Sequence, residues 1–349
     1  MKSFFINRVL LFPYFLILTI RHYFYNKAFL KSYTFSIPII SIGNLSVGGT
    51  GKTPHTEYFL KNALKYGSIA VLSRGYGRKT RGFRFININD NASEAGDEPL
   101  QIKRKYPEAI VVVDGNRVRA IKRLMELPEE QRPKLIIMDD AFQHRRVVPS
   151  LSVLLVDYSS PPNEDNLIPF GRLRDLPSQM IRADIVIVTK CPPELTEEEQ
   201  FNWSRKLNLS GRQKLLFSTL DYLEPCSVFE SGDRRYIYSN FCIPLTAIAN
   251  PKAYEYRLSE SYKIVSRLHF RDHHIFSRSD VKRINRVAES NQKAVFFTTE
   301  KDAQRLHNLD NLSDDFQKRI FYLPVEVSVL NNRRIELDEI IIQTLSSKS

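Results

Sequence analysis

The stretch Ser46-Val47-Gly48-Gly49-Thr50-Gly51-Lys52-Thr53 follows an apolar run at residues 37–42 and precedes a segment, residues 54–65, of helical character. Strand, glycine-rich loop and helix in that order are what a phosphate-binding loop requires. Glycines let backbone N–H groups converge on phosphate oxygens, and the start of the helix adds partial positive charge. Lys52 then reaches the β- and γ-phosphates, and the Thr53 hydroxyl supplies a ligand to magnesium. Val47, Gly48, Gly49, Thr50, Gly51, Lys52 and Thr53 are therefore expected to hold ATP with Mg2+. The strict pattern has glycine where this chain has Ser46, and the doublet Gly48-Gly49 is read as restoring the lost freedom.

Outward from this loop, short runs rich in Val and Ile recur at residues 37–42, 68–72, 109–113, 135–138, 152–156 and 184–188. Each reads as a strand buried on both faces, with helices between them at residues 54–65 and 117–126. Right-handed crossovers then give an α/β fold, a P-loop NTPase-like parallel sheet flanked by helices, with functional loops at the carboxyl ends of the strands. One such end is Lys134-Leu135-Ile136-Ile137-Met138-Asp139-Asp140, an apolar strand closing on paired acids. Beside a phosphate loop, one of those carboxylates is expected to enter the magnesium shell.

Between residues 215 and 238 the pattern breaks into short extended pieces with Pro225, Gly232 and mixed charge, which reads as a hinge. A second α/β unit is expected beyond it, with strands at residues 245–249, 262–268, 294–298 and 320–325 and helices at residues 252–259, 279–289 and 337–345. Ser277 followed by Asp280 marks a helix start. The expected division is an N-terminal basic-aromatic helix at residues 1–30, a P-loop kinase domain at residues 31–218, a hinge at residues 219–238 and a smaller α/β lobe at residues 239–349, whose last residues pack back on the first domain.

The apolar run at residues 9–20 is flanked by Lys2, Arg8, Arg21, Lys27 and Lys31. It is too short to span a bilayer as helix, which takes about 20 apolar residues, and no small-residue cleavage site follows it. Phe12, Tyr14, Phe15, Tyr23, Phe24 and Tyr25 beside cations suit the headgroup zone, so the segment reads as a helix lying on a membrane rather than one buried in the core. The 51 Lys and Arg against 39 Asp and Glu, a net charge of +12, favour an anionic partner such as nucleic acid, phospholipid headgroups or a phosphorylated substrate. No nucleic-acid recognition module is visible, so the anionic membrane surface is preferred to nucleic acid. The three cysteines, Cys191, Cys226 and Cys242, have no metal or disulfide spacing and read as reduced thiols.

Phosphorylating an alcohol needs a group that accepts its proton. Two runs offer one, Gly96-Asp97-Glu98-Pro99 and Phe270-Arg271-Asp272-His273-His274-Ile275-Phe276. From the residues alone the choice between them stays open.

Taken together, Gly43 to Pro54, Ser73-Arg74-Gly75-Tyr76-Gly77, Gly96 to Pro99, Asp139-Asp140-Ala141-Phe142-Gln143-His144, Pro169-Phe170-Gly171-Arg172-Leu173-Arg174, Phe270 to His273 and Thr299-Glu300-Lys301-Asp302 resemble the tetraacyldisaccharide 4'-kinase family of lipid A biosynthesis. The resemblance implies transfer of the ATP γ-phosphate to the 4'-hydroxyl of a tetraacylated glucosamine disaccharide 1-phosphate, a lipid A disaccharide precursor, giving lipid IVA. It implies an Asp97–His273 dyad that takes the hydroxyl proton, with Lys52 on the phosphates and Thr53, Asp139 and Glu98 on the metal. Arg74, Tyr76, Arg117, Gln143, His144 and Arg174 match positions near the nucleotide or the lipid headgroup. Two departures stand out: Ala141 replaces a usual glycine, and the match is loose around Asp114-Gly115-Asn116. A site split between two lobes is expected to assemble by lobe closure, at the cytoplasmic face of the bacterial inner membrane, with the protein peripheral and no obligate protein partner. The rival readings are a nucleic-acid-associated P-loop NTPase and a nucleotide-switched membrane adaptor.

Overall fold

The computed structural model describes residues 2–248, 250–272, 274–307 and 309–346, with the side chains of residues 2–10 left aside. The chain opens on helix α1 (Lys2–Asn26) and then enters strand β1 (Ile39–Asn44), helix α2 (Lys52–Ala63), β2 (Ile69–Ser73) and β3 (Arg84–Phe85). There follow α3 (Ala92–Ala95), α4 (Asp97–Lys105), β4 (Ile110–Val113), α5 (Arg117–Met125), β5 (Leu135–Met138), β6 (Leu151–Asp157), β7 (Ile185–Thr189), α6 (Glu197–Leu207) and β8 (Lys214–Tyr222). The remainder is β9 (Cys226–Ser227), β10 (Phe241–Thr246), α7 (Lys252–Ser259), β11 (Lys263–Ile264), β12 (Leu268–His269), α8 (Arg278–Ser290), β13 (Val295–Thr299), α9 (Glu300–Leu306), α10 (Asp314–Arg319), β14 (Ile320–Leu323), β15 (Val325–Val329) and α11 (Arg334–Ser346).

Nine strands form one sheet in the order β15-β8-β7-β6-β1-β5-β2-β4-β3, parallel except for its two edge strands β15 and β3. The fold is thus the expected α/β one, a large parallel sheet flanked by helices. Side-chain alternation explains its layers. Ile69 and Val71, Val111 and Val113, Leu135 and Ile137, and Ile185 and Ile187 pack on one face with Phe59 and Leu60 of α2 and Leu337 and Ile341 of α11. Ala70 and Leu72, Val112, and Ile136 and Met138 meet Ile121 and Leu124 of α5 on the other. Farther along that second face Leu154, Val156, Val186 and Val188 pack with Leu11 and Leu18 of α1 and Trp203 of α6. Each fully buried aliphatic or aromatic side chain contributes about 1.5–3 kcal/mol here.

The second sheet runs β11-β10-β13-β14-β9, with β12 added on β10. Its parallel strands carry a separate core of Ile243, Leu245, Phe296, Ile284 and Phe316. Helix α8 starts as read, since Ser277 accepts from the Asp280 N–H while the Asp280 side chain reaches back to the Ser277 N–H.

The structure corrects the sequence reading at the crossing between sheets. Residues 219–222, expected in the hinge, belong to β8 and pair antiparallel with β15 in the large sheet. The apolar run at residues 320–325 is two strands, β14 in the small sheet and β15 in the large one. Pro324, which has no N–H to donate, sits between them at the point where the chain changes sheets. The run at residues 262–268 is likewise two short pieces, β11 and β12. Strand β10 starts earlier than expected and runs through Pro244, and residue 249 lies outside the described residues. Helix α11 returns to the large sheet, where Tyr58 of α2 donates to Asp338 at 2.9 Å.

Candidate active site

Strand β1 ends against the end of β5, and the two loops that follow touch. A Cβ on Gly43 would lie 2.7 Å from the Phe142 backbone nitrogen, so only glycine fits there. The phosphate-type loop leaves β1 at Asn44, whose buried amide donates to Thr50 Oγ1 at 2.8 Å. Val47 N–H donates to Arg172 O at 2.7 Å, and Thr189 Oγ1 donates to Thr50 O at 3.0 Å. The turn into α2 is made by Gly48 at φ 102 and Gly51 at φ 80, which only glycine adopts without strain. Ser46 instead forms an extended bridge to Leu173, which explains why a side chain is tolerated where the strict pattern has glycine.

Sequence reasoning missed a brace beneath this loop. His55 is fully buried between Gly51 O, 2.7 Å from Nδ1, and Ser218 Oγ of β8, 2.9 Å from Nε2. A carbonyl can only accept, so Nδ1 carries the proton and Nε2 accepts from the hydroxyl. Burial pulls the pKa of His55 down to about 4, against the bond to Gly51. Lys190, at the end of β7, also holds the loop by donating to Gly49 O and, at 2.7 Å, to Asp157. The rule that functional loops cluster at the carboxyl ends of strands would have pointed to Lys190, whereas no local signal marks His55.

Lys52 opens α2 with its Nζ 3.9 Å from Asp140 Oδ1. Burial lowers its pKa, with Asp140 opposing that effect and Asp139 and Glu98 adding to the opposition. Asp139 is buried and accepts from Thr56 Oγ1 at 3.1 Å and Ser73 Oγ at 3.4 Å. Burial, reinforced by the charge of Asp140, pushes its carboxyl up to about 6. Asp140 takes the left-handed conformation at φ 47. Burial would raise its carboxyl, yet bonding to Arg174 and the charge of Lys52 hold it below the usual range. Ala141 is therefore no obstacle, since the residue before it makes the unusual turn.

Arg174 forks between Asp140, at 3.0 Å from Nη1, and Asn44 Oδ1, at 2.5 Å from Nη2. Gln143 donates to Asn44 O at 2.6 Å. His144 has its pKa drawn down to about 4 by burial and then by the neighbouring Arg117, Arg74 and Arg21. Arg117 is buried, donates to Asp114 O and lies 3.4 Å from Asp139 O, so it ties the loops after β4 and β5; burial lowers its pKa to about 10. Helix α1 reaches the same place, with Tyr14 donating to Arg174 O at 3.1 Å and Arg21 to Gln143 O at 2.8 Å. His22 and Asp175 meet at 2.6 Å and fix α1 to the body.

Asp97 and Glu98 form the first turn of α4, and Gly96 before them packs so closely that a Cβ would lie 3.0 Å from Tyr76 O. Helix α9 of the second unit lies against α4: Arg305 bonds Asp97 and, at 3.2 Å, Asp302, while Lys301 pairs with Glu98 at 2.8 Å. Asp302 is itself held by the Ala247 N–H at 2.9 Å. The two units thus already meet at Asp97. His273, the other half of the expected dyad, lies outside the described residues. Its neighbour His274 stacks on Phe270 and bonds Asp280 at 2.9 Å, which is a structural role. Arg74 and Tyr76 are exposed, beyond the end of β2 rather than at the phosphate loop. Lys52, Asp139, Asp140, Gln143, His144 and Arg174 converge above β1 and β5, with the α4 start facing them.

A family model described as tetraacyldisaccharide-1-P 4'-kinase matches residues 5–346. Among curated proteins, the chain is 37% identical to the tetraacyldisaccharide 4'-kinase of Parabacteroides distasonis over 94% of this chain and 91% of that protein. It is 39% identical to that of Porphyromonas gingivalis over 89% of this chain and 88% of the relative, and 39% identical to that of Flavobacterium johnsoniae over 94% of each. A solved structure of LpxK from Aquifex aeolicus in complex with ATP superposes with a TM-score of 0.74 at 25% identity, covering 97% of this chain and 99% of that one.

Proposed function

The chain belongs to the tetraacyldisaccharide-1-P 4'-kinase family, and on that premise we infer that it is an ATP-dependent kinase that phosphorylates the 4'-hydroxyl of a tetraacyldisaccharide 1-phosphate in lipid A biosynthesis, yielding lipid IVA. The observation that carries this reading is the meeting of Lys52, Asp139 and Asp140 above β1 and β5 with the Asp97-Glu98 start of α4.

In this reading the loop from Val47 to Thr53 cradles the triphosphate and Lys52 neutralises charge on its terminal oxygens. Asp97 with His273 receives the proton of the 4'-hydroxyl; the oxygen bonds the γ-phosphorus as its bond to the ADP oxygen breaks. Arg305 pairs with Asp97 and so fixes the position of its carboxylate. Thr53, Asp139 and Glu98 are hard oxygen donors suited to Mg2+, which ordinarily binds one or two carboxylates together with phosphate oxygens and water. A buried Asp139 beside Asp140 fits that need, since a cation there would offset the burial, and then the charge of Asp140, that raise its carboxyl. Magnesium when bound offsets charge on the transferring phosphoryl group. Arg74, Tyr76, Gln143, His144 and Arg174 are read as lying near the nucleotide or the lipid headgroup, and the buried Arg117 as holding the loops after β4 and β5 in place.

Helix α1 carries the membrane reading. Leu11, Leu18 and His22 face the body, whereas Phe12, Phe15, Ile17, Ile20 and Tyr23 are exposed. Among the described residues no helix is long and apolar enough to cross a membrane. An apolar helix face edged by cations suits a peripheral position on an anionic inner-membrane surface, each nearby Lys or Arg adding about 1 kcal/mol. Two sheets with separate cores support two units, but with other boundaries than those expected: the larger unit keeps β8 through Tyr222 and takes back β15 and α11, so the smaller one lies between them.

The test is to incubate the purified chain with magnesium, ATP labelled in its γ-phosphate and tetraacyldisaccharide 1-phosphate. Labelled lipid is the expected product, and its absence from a folded, ATP-binding sample overturns the reading.

A further inference from the structure

Helix α4 begins with Asp97 and ends with Lys105, and Asp97, Gln101 and Lys105 recur every four residues, which lines them along one side of the helix. At the start, Asp97 is held by Arg305 of α9. Toward the end, the same side meets Glu57 of α2, a charged residue only 3% exposed whose place in the core none of the roles above explains. Gln101 Nε2 donates to Glu57 Oε1 at 2.8 Å, and Lys105 Nζ donates to Oε2 at 2.6 Å. The same ammonium lies 3.1 Å from Glu300, the first residue of α9. One lysine thus ties together the helix that follows the phosphate loop, the helix that carries Asp97 and the helix of the second unit that covers Asp97.

The charges make this tie demanding. A buried carboxylate needs a partner, and here two carboxylates share one ammonium. Burial, and then the charge of Glu300, pushes the Glu57 carboxyl up to about 7, with Lys105 opposing both. Burial would lower the pKa of Lys105, yet Glu57 and Glu300 together raise it, so the lysine stays a cation. The seam between α4 and α9 continues on either side of it, through Lys301 to Glu98 at 2.8 Å and Arg104 to Gln304 at 2.8 Å.

We propose that Lys105 is a positioning residue for phosphoryl transfer, which by bridging Glu57 and Glu300 fixes the separation of Asp97 from Lys52 and joins that separation to the seating of the second unit. The proposal rests on the kinase reading and names the group that aligns the nucleotide side of the site with the acceptor side. Lys105 lies about 12 Å along the axis of α4 from Asp97, and Glu57 about 7 Å along α2 from Lys52, at 1.5 Å per residue. It therefore acts through the two helices and touches no reacting atom. Helices clamped to each other at one point leave little freedom at their other ends, and a misplacement near 1 Å at a reacting group is enough to cost about a hundredfold in rate.

The experiment measures label transfer from ATP to tetraacyldisaccharide 1-phosphate by wild type, Lys105→Met, Lys105→Arg, Glu300→Gln and the double variant Lys105→Met/Glu300→Gln. Lys105→Met keeps a side chain of similar length without its charge, and kcat should fall about ten- to a hundredfold while KM for the acceptor and the ATP affinity by titration calorimetry stay within about twofold. Lys105→Arg should restore kcat to within about threefold of wild type, since a cation again spans both carboxylates. A wild-type kcat in Lys105→Met, a loss confined to KM, or an arginine variant no better than the methionine one overturns the proposal. Glu300→Gln leaves the pair of Glu57 with Lys105 intact and breaks only the link to the second unit, and its kcat should fall about three- to tenfold. Because both substitutions remove one contact, the double variant should be no slower than Lys105→Met alone; losses that multiply overturn the proposal. Should Lys105→Met fail to fold, Glu300→Gln decides by itself, and a wild-type kcat there overturns it. Hydrogen exchange needs no turnover: amides of both α4 and α9 should exchange faster in Glu300→Gln and those of α5 should not, whereas faster exchange in α9 alone counts against the bridge. Label transfer by wild type tests the kinase reading on its own, so the two failures are told apart.

Discussion

Lys52 and Asp97 stand on opposite sides of the space where phosphoryl transfer is read to occur, and their surroundings set what each substitution should do. Lys52→Ala removes the cation that would meet the terminal phosphate oxygens, and kcat should fall by about 10²–10³-fold in a label-transfer assay. The fold should survive, because the ammonium is 3.9 Å from Asp140 and makes no tight buried pair. Asp97 is different: it is buried and bound by Arg305, which is itself held by Asp302. Asp97→Asn should lower kcat by about 10²–10⁴-fold while leaving ATP affinity, read by titration calorimetry, close to wild type. Full turnover in that variant would remove Asp97 from proton transfer. Arg305 is invisible to motif reasoning because its partner lies 208 residues away in the chain.

At the scale of elements, the phosphate loop is fixed by a contact between α2 and β8 rather than by its glycines alone. His55 bridges Gly51 O and Ser218 Oγ, and burial holds it neutral with a pKa near 4. An unfolded histidine titrates near 6.5, so between those two values the unfolded chain binds more protons than the native one. Stability from this residue is therefore complete above about pH 6.5 and is lost as pH falls toward 4, by up to about 3 kcal/mol. The thermal midpoint of His55→Gln should depend less steeply on pH across that window than wild type, whatever its absolute value. A parallel pair of profiles would show that His55 does not titrate between the states. Pro324 belongs to the same scale, at the point where one apolar run is divided between two sheets and the chain crosses back to the nucleotide unit.

For the whole molecule, α1 is the proposed link between a membrane surface and the site. Its buried stripe is pinned by His22 to Asp175, and Tyr14 and Arg21 touch the backbone of Arg174 and Gln143. Its exposed stripe is apolar. Replacing Phe12, Phe15 and Ile17 together with serine spares the pinned side and should reduce co-sedimentation with anionic vesicles several-fold, because each buried apolar side chain is worth about 1.5–3 kcal/mol. Turnover on detergent-dispersed acceptor should stay within about threefold of wild type. Unaltered vesicle binding would place the membrane contact elsewhere on this basic surface.

The sequence by itself determined the parallel sheet, the glycine-rich loop before α2 and the paired acids after β5, because these depend on local signals: alternation of apolar residues, glycine before a helix, carboxylates at a strand end. It also carried the family resemblance that the comparisons bear out. Tertiary structure alone decided that Arg305 and Lys301 cover the Asp97-Glu98 turn, that His55 reaches β8, that residues 219–222 continue the large sheet, and that Lys105 lies between Glu57 and Glu300. Contacts between residues far apart in the chain leave no periodic trace; they exist only once burial has brought separate elements within hydrogen-bonding distance.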